Sequence, residues 1–234
     1  MRTARWLGRS HQSIRNGLSS VGAACQGEEG FREAVAELLR LERLAVKGDA
    51  GRDEWAWEPE SLDPVVAGYA ALAAIQPMLR SLTSDDQPKP TPCTEMTCHQ
   101  VAVHLMESLV TLGGMAGASL AIPDQGSLET KVSTLADQAL TAWRQRGLEG
   151  TVGDPGGREL PAALAPAIID VELLLHGWDL AQGSGQTIEV SDQVAGYVAE
   201  VGAQLIEGGR GTAFAAEVAG EGGSALDRLA AFSG

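Results

Sequence analysis

Between Asp63 and Phe232 the sequence is laid out as capped, apolar-periodic stretches separated by Pro and Gly, and this restricts the fold more than any other feature. Asp63 can cap a helix and Pro64 sits where a missing N–H costs nothing, so a first helix is predicted over Asp63 to Leu82. The stretch Thr83 to Thr94 carries Pro88, Pro90 and Pro92 and cannot be helical. Thr97, with Gln100 three residues on, makes a capping box for a second helix reaching about Met115. Gly126 and Gly147 bound a third, from about Ser127 to Arg146. Pro161 and Pro166 stand near the start of a fourth, which is expected to end around Ala181, before Gln182-Gly183-Ser184-Gly185. A fifth is predicted over Asp192 to Glu207 and a short last one over Ala225 to Phe232. With little β-branched alternation between them, these segments predict an all-α fold, an antiparallel four-helix bundle with additional short helices.

The first 60 residues differ in kind. They hold nine basic and ten acidic side chains, which leaves 8 against 21 for residues 61–234. Two parts are therefore expected: an N-terminal extension over residues 1–60, and a bundle domain over residues 61–234. The extension reads as a tail, one amphipathic helix and a linker. The helix is Gly30 to Lys47, with Phe31, Val35, Leu38 and Leu39 on one face and Gly48 as its stop; Trp55 and Trp57 lie among acids in the linker.

The formal charge of −14 has the wrong sign for holding phosphate backbones, so nucleic acid is not an expected partner. The longest apolar run, Val65 to Ile75, has 11 residues against the ~18 to 20 of a membrane span, so no membrane is expected either. The first 27 residues carry four arginines, but no apolar core of a secretory signal follows. Cys25, Cys93 and Cys98 are odd in number and lack a C-x-x-C spacing, which points away from a disulfide framework or a Cys-rich zinc site and toward a reducing cytoplasm.

Of the four histidines, His11 lies in the tail and His99 in the first turn of the second helix, where solvent is the expected neighbour. His104 should face the same way as Val101 and Ser108, toward the core. His176 follows Glu172 by four residues, which sets a carboxylate and an imidazole side by side on one helical face. Glu172 stands among Ile, Val and Leu, where a charge is costly unless it is compensated. A divalent metal would compensate it, because helix bundles build such sites from inward side chains and three protein ligands with open positions suit catalytic zinc. The other reading is a Glu172–His176 hydrogen bond on a half-exposed face, with His104 an ordinary core histidine.

The phrase His176-Gly177-Trp178-Asp179-Leu180-Ala181 followed by Gly185-Gln186 goes further, taken with Pro90-Thr91-Pro92-Cys93-Thr94-Glu95-Met96-Thr97 and His104-Leu105. It resembles the actinobacterial metal-binding proteins of the DinB-like and mycothiol-dependent maleylpyruvate isomerase superfamily. Arg210 to Phe214 and Leu226-Asp227-Arg228-Leu229-Ala230-Ala231-Phe232 extend the resemblance over about residues 63–234. It implies a DinB-like bundle holding a divalent metal, usually zinc, through His104, Glu172 and His176. It also implies a cytoplasmic enzyme using mycothiol, a small-molecule thiol, as co-substrate toward a small electrophile, most simply an S-transferase. The alternatives are a thiol-dependent isomerase and a metal-binding bundle without catalysis. The isomerases carry a further C-terminal domain that contributes an arginine, for which 234 residues leave no room, and this favours transfer over isomerisation. Met96 stands where the family has Trp, a packing change. Asp179 has three readings: an acceptor orienting His104, a base near the metal, or a fixer of the loop after the fourth helix. Trp178 is expected in the core, and Cys93 is read as a small buried hydrophobe rather than a ligand.

Overall fold

The computed structural model describes residues 62–93, 96–211, 214–218 and 223–234. The predicted tail, the Gly30 to Lys47 helix, the linker and His11 all lie outside the described residues.

Asp63 accepts from the Val65 N–H and starts α1, Pro64–Ser81, with Pro64 in its first turn; Pro77 stands inside the helix, where it forgoes one backbone bond near the end. Thr97 and Gln100 close both halves of the capping box at the head of α2, Cys98–Met115. Ser127 caps α3, Leu128–Arg146. After it come two short antiparallel strands, β1 over Thr151–Gly153 and β2 over Glu159–Pro161, with Thr151 opposite Pro161. This hairpin has no counterpart in the sequence reading. Three-residue strands are too short to show alternation, and the turn rests on Asp154, which accepts from the Arg158 N–H and pairs with its guanidinium. Next is α4, Leu164–Ser184, about one turn longer than expected, because Gln182 to Ser184 stay helical until Gly185 takes a left-handed conformation at φ 77°. Last come α5, Asp192–Gly209, and α6, Ala225–Ser233, each slightly longer than expected and each capped by a serine.

The bundle expected from the caps is present, with α1 and α2 each packed against both α3 and α4. Chain directions follow from the pairings. Tyr69 meets Asp137, Gln76 meets Ser133 and Arg80 meets Glu129, so α1 and α3 are antiparallel. Cys98 lies against Gly183 and His104 against Glu172, so α2 and α4 are antiparallel. Gly68 lies against Asp170 and Ile75 against Gly177, so α1 and α4 run parallel. The four helices thus run up, down, down, up. The stretch 116–127 must return the chain along the bundle, and its Leu120 and Ile122 pack on the core. α5 lies against α4 and α1, and α6 against α5 and α4.

Leu105, Leu109, Leu135, Leu140, Leu173 and Leu174 fill the core, together with fully buried Trp143, whose indole N–H donates to Leu112 O at 2.9 Å. The α1–α4 seam is closed tightly through glycine. A Cβ on Gly177 would come within 2.5 Å of Ile75 Cγ2, and one on Gly68 within 2.6 Å of Leu140 Cδ2. No helix among the described residues is long and apolar enough to cross a membrane.

Candidate metal centre

The centre sits on the α2–α4 seam. Glu172 and His176 lie one turn apart on α4, and α2 brings His104 across from them. His176 Nε2 is 3.4 Å from Glu172 Oε2, and His104 Nε2 is 3.8 Å from the same oxygen. The two imidazoles meet edge to face with centroids 4.9 Å apart. One ligand atom from each of the three residues falls within 4.8 Å of the others, and among the described residues this is the one such grouping of His, Cys, Asp or Glu.

Burial makes the arrangement costly as it stands. Glu172 Oε2 is buried and has no hydrogen-bond partner, since neither imidazole is close and aligned enough to supply one. Burial opposes the charge on Glu172, yet His176, Ser108 and His104 together hold its carboxyl below the ordinary value. Burial likewise opposes a charge on His176, and Asp179 and Glu172 outweigh it, raising its pKa. The cluster therefore attracts positive charge to the space between Glu172 and the imidazoles.

A tetrahedral ion with bonds of about 2.0–2.1 Å spaces its ligand atoms roughly 3.3 Å apart, so the 3.4 and 3.8 Å separations from Glu172 need contract by a fraction of an ångström, and the two imidazole nitrogens, within 4.8 Å of each other, by up to about 1.5 Å. Two imidazoles and one carboxylate, with an orphaned oxygen at their centre, fit a divalent metal. The His104 side chain is 44% exposed against 14% for His176, which leaves the open side of the cluster facing solvent along α2.

Two expectations are corrected here. His104 does not point into the core: Val101 and Leu105 fill that face of α2, and His104 occupies its flank. Asp179 does not orient His104 or tie down the loop after α4. It lies within α4, and its Oδ2 is 3.3 Å from His176 Nδ1; the helix is closed instead by Gly185 and by Gln186 N–H donating to Ala181 O. Trp178 is half-buried rather than fully so, and its indole N–H donates to Asp227 Oδ1 at 2.9 Å. Cys93 stays outside the cluster, half-buried, its thiol pushed up by burial and by Asp179. His99 is exposed, as expected.

Sequence reasoning passed over two residues. Ser108 follows His104 by one helical turn and acts on Glu172, a role its spacing could have suggested. Asp170 lies in the apolar run Ile168-Ile169-Asp170-Val171, and the same burial argument made for Glu172 applied to it.

No protein-family model matches the chain. Two Mycobacterium tuberculosis proteins, uncharacterized protein Rv0738 of strain H37Rv and uncharacterized protein MT0763 of strain CDC 1551, are each 26% identical to it over 138 residues, 57% of this chain and 74% of theirs. Among solved structures, the crystal structure of the mycothiol-dependent maleylpyruvate isomerase is similar to it at 15% identity and a TM-score of 0.45, over 63% of this chain and 72% of that one.

Proposed function

We propose that the chain is a metal-dependent, thiol-using enzyme. In this reading His104, Glu172 and His176 hold a divalent metal, zinc, and a thiol of the mycothiol class is the nucleophile in S-transfer to a small electrophile. The observation that carries the reading is the convergence of three ligand atoms on a buried, unpartnered Glu172 Oε2. The choice of mycothiol among thiols rests on the resemblance of the His176-to-Ala181 phrase and the Pro90-to-Thr97 loop.

When bound, a dication supplies the electrostatic pull that converts a thiol of ordinary pKa ~8.5 into its reactive thiolate at neutral pH. The chain's own residues prepare the place for it. Glu172 contributes the negative charge that offsets a dication, and Ser108 helps keep that carboxyl ionised. Asp179 Oδ2 accepts from His176 Nδ1–H, which fixes the ring and would leave Nε2, on the Glu172 side, free to ligate a metal. This makes Asp179 a positioning residue. His104, on the exposed flank, marks the side from which thiol and electrophile arrive.

The test combines metal analysis with adduct formation. Purified protein should contain stoichiometric metal, shift its melting temperature with mycothiol, and yield mycothiol adducts of epoxides or haloalkyl compounds by mass spectrometry. Asp179→Asn should fold normally and lose about 10 to 100-fold in metal affinity, read by competition with a chromogenic chelator. A metal-loaded protein that neither binds mycothiol nor consumes any electrophile reduces the reading to a non-catalytic metal-binding bundle. A rearranged product with the thiol returned makes it an isomerase.

A further inference from the structure

The face of α5 that looks toward α6 is made of small residues. Gly196, Ala199 and Ala203 recur there at helical spacing, and across from them Arg228, Leu229 and Phe232 of α6 close a cavity of about 280 Å³. The larger side chains of α5, Val194, Val198 and Ile206, go into the core instead. A Cβ on Gly196 would meet nothing within 4 Å, so α5 leaves room there that a larger side chain would fill. Protein interiors are packed nearly as densely as organic crystals, and a seam with this much open volume forfeits dispersion contacts along both walls. The α6 wall is nevertheless held in place from outside. The Arg210 guanidinium lies 4.8 Å from the centre of the Phe232 ring and donates to Phe232 O and Ala215 O. Arg228 is exposed and donates one N–H to Gly223 O at 3.0 Å, and no carboxylate among the described residues forms an ion pair with it. Asp227, next to it in the chain, gives its oxygens to Trp178 and Ser224.

We propose that the α5–α6 cavity binds a small amphiphilic acid, with an aromatic body against Leu229 and Phe232 and a single carboxylate at Arg228. Size selects the body. A cavity of about 150 Å³ is enough for benzene, so one of about 280 Å³ takes two fused rings. Spacing selects the shape. Arg228 and Phe232 stand four residues apart on α6, which sets the guanidinium and the phenyl ring on one helical face about 5.4 Å apart along the axis, close to the reach from a carboxylate to the far ring of a naphthoate. Charge selects the head. A guanidinium offers paired N–H donors that match a carboxylate, and such charge-assisted bonds are roughly twice as strong as neutral ones. The chain carries a formal charge of −14, which keeps anions away from most of its surface, and an exposed arginine without an acidic partner is what admits one here. An apolar hollow with one placed polar group is the usual make-up of a small-molecule site. The cavity shares no residue with the His104–Glu172–His176 cluster, and its occupancy is independent of what the metal centre does.

The experiment is calorimetric titration of the full chain with 2-naphthoate, and with 2-naphthalenemethanol as its neutral counterpart. The acid should bind, and the alcohol about tenfold more weakly. Arg228→Gln should erase that difference by weakening the acid alone. Gly196→Leu, which grows into the open room, should abolish binding of both compounds. Ala199→Leu, one turn further along the same wall, should do the same and serves where the first variant fails to fold. His176→Ala should leave the titration unchanged, which separates this cavity from a carboxylate landing on the metal centre. A wild type that takes up neither compound overturns the proposal, and a dimer in sedimentation that Gly196→Leu dissociates then gives this face to a second copy of the chain. Equal affinity for acid and alcohol overturns it as well, because Arg228 then selects nothing. Binding that both leucine variants leave intact places the ligand elsewhere and overturns it too.

Discussion

Glu172 and Asp170 stand two residues apart on α4 and face opposite seams of the bundle. On the antiparallel α2 seam Glu172 meets two imidazoles and Ser108, and its carboxyl is held below the ordinary value despite burial. On the α1 seam Asp170 lies against Gly68, finds no partner, and is pushed well above the ordinary value, first by burial and then by Asp63. Nearly the same functional group on one helix acquires opposite electrostatics. What decides it is which neighbouring helix lies across the seam, since an acid's own solvation has been given up in both places.

The sharpest way to break this contrast is to remove an imidazole. His176→Ala should abolish stoichiometric metal, because two remaining ligands rarely hold a catalytic-type zinc, while urea unfolding stays cooperative. Unchanged metal content by elemental analysis would take His176 out of the centre. On the other seam, Gly68→Ala should destabilise the fold by about 1–3 kcal/mol through overpacking, partly offset by the better helix propensity of alanine, and leave metal affinity unchanged. The readout is the urea midpoint. A neutral result would show that Leu140 and Asp170 yield more easily than the 2.6 and 2.8 Å contacts imply.

The smallest effect comes from an acid with full partners outside the bundle core. Asp86 accepts from Lys89 and from the Thr83 N–H and hydroxyl, and these hold its pKa at about 2 against an ordinary 3.8. The folded-state value is the lower one, so the stabilisation is present above about pH 4 and is lost as the pH falls toward 2. Asp86→Asn should therefore melt slightly below wild type at neutral pH, with the gap closing near pH 2. A gap of constant size would assign the effect to loop geometry instead of charge.

The helix boundaries at caps were legible because a cap is local chemistry: Asp63 with Pro64, and Thr97 with Gln100, each stop or start a helix with side chains adjacent in sequence. The end of α4 was misjudged because Gln182 to Ser184 have no strong preference, and the left-handed Gly185 decides. The Glu172–His176 pair could be read from spacing alone. Its third member could not, since nothing near His104 says which helix lies across from it; the family resemblance named it, and the α2–α4 packing brings it there. Asp179 shows the same limit in reverse. Its true partner, His176, is only three residues away, and looking across helices for His104 passed over the nearer imidazole. The isolation of Asp170 depends on α1 presenting glycine at one position, which no local pattern announces.

The bond from Trp178 to Asp227 has a consequence for how the molecule breathes. Asp227 takes the indole N–H with one oxygen and, with the other, accepts from the Ser224 backbone and hydroxyl that begin α6. The last helix thus cannot detach without releasing a residue two positions from His176. Opening of α6 therefore releases the Trp178 indole N–H from its acceptor, so amide exchange in α6 should quicken in Trp178→Phe. A metal proposed at His176 would feel the docking of the last helix through this one indole contact two residues away.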